Sequence, residues 1–258
     1  MKRLQGRRVL VTGASSGIGE ACARRFAAEG AALVLWARRR ERLTGLAEEI
    51  ERDHGHTVHV RSVDVRDRTA VNVAVAALVE ADAVPDILVN NAGLASGLDL
   101  FHESDPEDWD RMIDTNIKGL LAVSRAILPL MIERGRGHVI NIGSTAGHMQ
   151  YPRGNVYAAT KFAVRALTEG MNLDALGTPI RVSAVDPGFV ETEFSVVRFH
   201  GDTEKAEKVY EGFRPLSGDD VADAVLYVAA APEHVNILDL VIMPTAQRNV
   251  FVVDRQKA

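Results

Sequence analysis

A chain of 258 residues with 47% hydrophobic and 25% charged side chains can bury a full core, and an α/β chain of this length commonly folds as one domain. Its formal net charge of -5 argues against general nucleic-acid affinity, and a single cysteine, Cys22, excludes an internal disulfide. The apolar stretch behind the first eight residues is too short for a signal peptide and no run of about 18 apolar residues follows, so a soluble, cytoplasmic protein with no membrane partner is expected.

Arg8 to Thr12 is a short apolar strand that runs straight into Gly13-Ala-Ser15-Ser16-Gly17-Ile18-Gly19, and a helical pattern through Ile18, Cys22, Phe26 and Ala27 follows. Strand, glycine loop and helix opening, in that order, are the context in which glycines bind a dinucleotide. Gly13 permits a tight turn, Gly17 lets backbone approach a pyrophosphate, and Gly19 lets the helix lie close on the sheet. The helix amino end then offers free N–H groups to the anion. A plain glycine-rich turn is the alternative.

Ala32 to Trp36 is the second strand, and its end decides the cofactor. A carboxylate there suits a ribose 2′-hydroxyl, whereas arginine suits a 2′-phosphate. This chain has Arg38, Arg39 and Arg40 before its first acid, Glu41. Arginines at a helix start oppose the helix dipole, and a phosphate would offset that cost. NADP(H) is therefore expected, against the alternative of a solvated basic face.

Strand and helix patterns then alternate. Helices are expected at 41–52 and 69–80, and one long helix, capped by Asp105 ahead of Pro106, from there to about Arg134. Further helices are expected at 156–176 and at about 219–230. Strands are expected at 57–63, 86–90, 138–143, 180–185 and 237–243. Apolar strands alternating with helices mean a single-domain, Rossmann-type α/β fold, with a doubly wound parallel sheet of about seven strands. Ligands bind such sheets beyond the carboxyl ends of the strands, which here carry the glycines, Asp64 and Val65, Asn90 to Gly93, Ser144, and Pro187-Gly188.

Tyr157 and Lys161 lie four apart and share one helix face. A phenol titrates at about 10, and a nearby cation favours the phenolate and lowers that value, so the pair is an acid/base device. His54 and His56 flank Gly55 in a charged loop with no cysteine or acid cluster beside them, so no metal is expected.

Together, Thr12-Gly13-x-x-x-Gly17-Ile18-Gly19, Asn90-Asn91-Ala92-Gly93, Asn116, Ser144, Tyr157-x-x-x-Lys161 and Pro187-Gly188 resemble the short-chain dehydrogenase/reductase family over nearly the whole chain. The resemblance implies an oxidoreductase with Tyr157 as acid/base and Ser144 polarising the substrate oxygen. Lys161 would hold the nicotinamide ribose and lower the tyrosine pKa, and Asn116 would help hold a relay water. It also implies that Val190 and Thr192 join Asn91, Pro187 and Gly188 around the cofactor, and that the enzyme is a homotetramer. The stretches 141–147, 154–157, 191–202 and 205–210, with Pro232 to Ile237 and Met243-Pro244, resemble NADP-dependent 3-hydroxy acid dehydrogenases, which act on serine, allo-threonine and related acids or their semialdehydes. The same features, with the ending Val252-Val253-Asp254-Arg255, also resemble sulfoacetaldehyde reductases. A small anionic substrate is implied, with Arg153 and Arg198 as candidates for its charge and residues 191–215 as a lid over the site. A general carbonyl reductase and a non-catalytic NADPH sensor are the other readings.

Overall fold

Within each strand, alternate residues feed opposite cores, as a period of two requires. Val9 and Val11 pack with Phe26, Leu33, Leu35, Leu43 and Val225 on one side of the sheet. Leu10 packs with Val34, Trp36, Leu88, Ile127 and Met131 on the other. Both faces are apolar because helices cover both, which is why the strands read as continuous hydrophobic runs.

The computed structural model describes residues 2–256, and among them seven strands form one parallel sheet in the order β3-β2-β1-β4-β5-β6-β7. These are β1 (Arg8–Thr12), β2 (Ala32–Ala37), β3 (Val58–Ser62), β4 (Ile87–Asn90), β5 (Gly137–Ile142), β6 (Ile180–Pro187) and β7 (Asp239–Ile242). The helices are α1 (Gly17–Ala28), α2 (Arg40–His54), α3 (Arg68–Glu80), α4 (Pro106–Ile113), α5 (Leu120–Glu133), α6 (Asn155–Asp174), α7 (Phe194–Arg198), α8 (Thr203–Lys208) and α9 (Gly218–Ala229). The chain winds outward from β1 through β2 to β3, then returns to pair β4 with β1 on its other side, Val9 meeting both Leu33 and Ile87. That reversal opens a crevice at the carboxyl ends of β1 and β4.

Side-chain caps fix where several helices begin. The Asp67 carboxylate accepts from the Thr69 and Ala70 amides, and Asp105 caps α4 ahead of Pro106, as its sequence implies. Ser217 and Asp220 close a reciprocal capping box at the start of α9.

The stretch expected as one long helix is interrupted. Asp114–Gly119 forms wider π-type turns between α4 and α5. This region, Pro106–Glu133, is 28 residues long with mean hydropathy 1.3 in its most apolar 18-residue window, enough by length and composition to cross a bilayer. Here Val123, Ile127 and Met131 pack in the core beside α3 instead. Residues 191–215 contain α7 and α8, two helices too short to leave a periodic signal in the sequence.

Candidate active site

The carboxyl ends of the strands surround a cleft of about 580 Å³, and its lining includes Gly13, Ser15, Ser16, Gly17, Ile18, Arg38, Arg39, Asp64, Val65, Asn91, Ser144, Tyr157, Lys161, Pro187, Gly188, Val190, Thr192 and Arg198. Residues as far apart as Gly13 and Arg198 meet there because every strand ends on the same edge of the sheet.

The glycine turn is built against β4. The Asn91 side chain donates to the Thr12 carbonyl at 2.9 Å, and the Thr12 hydroxyl accepts from the Asn91 and Ala92 amides at 3.0 Å. Gly17 has φ +57, which disfavours any side chain. Gly19 does not line the cleft; a Cβ there would come within 2.5 Å of the Gly13 carbonyl oxygen and 2.4 Å of Asn91 Nδ2, so glycine sets the approach of α1 to the turn. No side chain caps the amino end of α1, and the Ser16 hydroxyl accepts from Arg39. An uncapped helix start beside two serine hydroxyls is a fit for a phosphate group.

Arg39 spreads its guanidinium over Ser15 at 3.1 Å, Ser16 at 2.6 Å and the Glu193 carboxylate at 2.8 Å. Arg42 reaches the other oxygen of Glu193 at 2.6 Å. These two arginines hold the Glu193 carboxyl down at about 2. Arg38 lines the same end of the cleft with its guanidinium free of hydrogen bonds and ion pairs among the described residues. Asp64 is bound side-on by Arg66 at 2.6 to 3.1 Å, and that bond holds its carboxyl below the usual range.

At the other end, Ser144 ends the β5 turn and Tyr157 and Lys161 project from α6. Lys161 is buried, with its Nζ donating to the Ile142 carbonyl at 2.9 Å and lying 5.9 Å from the Tyr157 ring centre. Burial pulls the ammonium down to about 8, against the favourable field of Asp186. One of its three donors is engaged among the described residues, so two remain for ribose hydroxyls.

Tyr157 does not follow the simple expectation of a phenol lowered by its lysine. Burial pushes its pKa above the ordinary value, and the cation that pulls it back is Arg198, helped by the Ser144 hydroxyl. The Arg198 guanidinium carbon lies 5.0 Å from the Tyr157 ring centre and 5.3 Å from that of Phe194. It donates to the Tyr151 hydroxyl at 2.8 Å, and its buried Nε has no partner. A half-buried guanidinium with an unspent donor beside the phenol is ready for an anion.

Two expected residues stand elsewhere. Arg153 is exposed, adopts φ +65 and lies outside the main cleft, against a crevice of about 10 Å³. Asn116 sits buried in the π-type turns, where its amide bonds the Leu94 carbonyl at 2.8 Å and the Thr160 hydroxyl at 3.0 Å, and accepts from the Leu94 amide at 2.9 Å. Its side chain pins the loop after β4 to α6, using both amide donors and one of the two acceptor positions of its oxygen.

Sequence reading missed a group behind the lysine. Asp186, at 2% exposure, is bonded by His148 Nε2, with Asp239 3.7 Å from the same nitrogen. Arg165 donates to His148 Nδ1 at 3.2 Å, which makes that nitrogen the acceptor and leaves the ring proton on Nε2 facing the carboxylates. Burial and the neighbouring Asp239 push the Asp186 carboxyl up to about 6, and its charge raises the pKa of both Tyr157 and Lys161. The three residues are 38 and 53 positions apart, and the pairing of β5 with β6 and of β6 with β7 brings them together.

Comparison with known proteins places this geometry. A family model described as short chain dehydrogenase matches residues 7–202. The NADP-dependent 3-hydroxy acid dehydrogenase YdfG of Salmonella typhi is 49% identical over 240 residues, covering 93% of this chain and 95% of that protein. Sulfoacetaldehyde reductase 2 of Chromohalobacter salexigens is 47% identical over 249 residues, covering 96% and 98%. Among solved structures, the closed form of serine dehydrogenase complexed with NADP+ superposes with a TM-score of 0.91 at 46% identity, covering 97% of this chain and all of that one.

Proposed function

The chain belongs to the short-chain dehydrogenases, and from that premise we propose that it interconverts a small anionic 3-hydroxy acid, such as serine or 3-hydroxypropionate, and its aldehyde or ketone. It is an NADP-dependent oxidoreductase acting on CH–OH groups. The observation that carries the finer reading is the meeting of Ser144, Tyr157, Lys161 and Arg198 at the inner end of a cleft whose outer end holds the glycine turn and Arg38 and Arg39.

The bound cofactor supplies or accepts the hydride; the protein does the rest. In reduction, the Tyr157 phenol gives its proton to the carbonyl oxygen, and the Ser144 hydroxyl donates to the same oxygen as negative charge develops there. The charge of Arg198 faces the phenol and stabilises its anion after transfer. Lys161 keeps donors for the ribose, and its charge is sustained by Asp186. Gly13, Ser15, Ser16, Gly17, Ile18, Asp64, Val65, Asn91, Pro187, Gly188, Val190 and Thr192 line the cofactor portion, and the lid at 191–215 brings Arg198 to the carboxylate of the substrate.

A sulfonated aldehyde is the second reading, favoured by the 47% identical reductase and by a guanidinium that serves sulfonate and carboxylate alike. Either way the enzyme is cytoplasmic and assembles as a homotetramer through α5 and α6, where Leu121, Ile132, Phe162 and Leu173 are left exposed. Replacing Tyr157 by Phe should abolish turnover and leave NADPH binding intact; near-full activity in that variant would sink the assignment.

A further inference from the structure

Helix α7 is tethered at both ends. Glu193, the residue before it, is gripped by Arg39 and Arg42 at the start of α2, while Arg198, its last residue, lies over Tyr157. Phe194, between them, meets the Tyr157 ring edge-on at 5.6 Å between centres. Next to Glu193, Thr192 lies against the glycine turn, so that a Cβ on Gly17 would meet its side chain at 3.2 Å. One rigid turn of helix therefore runs from the arginines at the outer end of the cleft to the acid/base at the inner end.

The contacts of Arg39 are those of a phosphate site held by a protein carboxylate. Its three nitrogens bond two hydroxyls of the glycine turn and one oxygen of Glu193, and Arg42 takes the second oxygen. A carboxylate bridging two guanidinium groups presents the charge and lone pairs that a phosphomonoester would present to them. We propose that Glu193 is a specificity-setting counter-ion that competes with the cofactor 2′-phosphate for Arg39 and Arg42, so that filling the phosphate site releases the front of α7. This rests on the reading of Arg39 as part of the 2′-phosphate site.

The consequence is a link between the cofactor and the lid. A dinucleotide without the 2′-phosphate leaves the Glu193 ion pairs standing and gains nothing from the two arginines. One that carries it exchanges those pairs for stronger ones and frees α7 to shift. Glu193 therefore acts against NADP(H) affinity while coupling that affinity to the position of Arg198.

The test is calorimetric titration of the full-length enzyme and of Glu193→Gln with 2′,5′-ADP, with ADP as the probe that lacks the 2′-phosphate. The variant should bind 2′,5′-ADP about fivefold to tenfold more tightly, which is what two part-exposed ion pairs are worth, with ADP affinity unchanged. Trypsin cleavage within 191–215, at Arg198, Lys205 or Lys208, should speed up when 2′,5′-ADP is added to the wild type, and should be fast in Glu193→Gln without it. An unchanged or weakened affinity of the variant for 2′,5′-ADP overturns the proposal. If the wild type itself prefers 2′,5′-ADP no more than ADP, the reading of the phosphate site falls first and the proposal with it.

Discussion

Lys161→Met should abolish turnover and give a protein whose stability relative to the wild type falls as pH rises. The lysine is almost fully buried, and burial pulls its ammonium from 10.5 to about 8. At about 1.4 kcal/mol per tenfold, the ionised side chain costs the native state about 3 kcal/mol wherever it is charged both folded and unfolded. The sign is that of a depressed base: the cost is full below about pH 8 and is relieved as pH rises toward the unfolded value. Methionine fills a similar space without the charge but leaves the Ile142 carbonyl without its 2.9 Å donor, a pH-independent loss of about 1 to 3 kcal/mol. The absolute difference between the two proteins is therefore small, and the informative quantity is its pH dependence. Urea unfolding at about pH 6 and about pH 9.5 should show the stability of the methionine variant relative to the wild type falling by about 2 kcal/mol as pH rises. A relative stability that stays flat, or rises, would refute the account of Lys161 as a charge held against its own desolvation.

Other consequences follow from single contacts. Gly143→Ala would place a Cβ 1.7 Å from Asp186 Oδ1, so this variant should lose at least about 2 kcal/mol in urea unfolding. Asn116→Ala removes three buried hydrogen bonds and leaves both Leu94 main-chain groups unpaired, which should cost about 3 kcal/mol or more and show as a lowered urea midpoint. Arg198→Met should raise KM for a carboxylated aldehyde by about tenfold or more while changing KM for an uncharged aldehyde little, since a charge-assisted hydrogen bond is worth about 1.5 to 3 kcal/mol. Equal losses with both aldehydes would assign Arg198 to the phenol alone.

The sheet was legible because its strands are apolar on both faces and its helices amphipathic or capped; Asp105 with Pro106 and the glycine turn each read correctly from chemistry that is local in sequence. Element ends differ from expectation by a residue or two, as at α2, expected over 41–52 and found as Arg40–His54. The π-type turns were not legible, because one extra residue per turn leaves the apolar positions of α4 and α5 close enough to a single helical pattern to pass for it. Short helices in the lid are likewise silent, since α7 is fixed by Glu193 and Arg198 at its ends and not by a buried stripe. Within the site, the residues read by their place after a strand line the cleft except Gly19, which sets the approach of α1 to the turn, and Asn90, which bonds Ser124 and Asn141 in the interior. Arg153, read from its spacing before Tyr157, lies outside, at a residue with φ +65. The His148, Asp186 and Asp239 cluster needed strand pairing to exist at all.

The central claim is a 2′-phosphate-dependent reductase for small anions, and the most direct test is the initial rate of NADPH oxidation, with NADH as control, against malonic semialdehyde, sulfoacetaldehyde and an uncharged aldehyde of similar size. Faster turnover of the anionic aldehydes with NADPH is the predicted result, and their ranking separates the hydroxy-acid from the sulfonate reading. Preference for the uncharged aldehyde, or for NADH, would contradict the account and leave only a general carbonyl reductase.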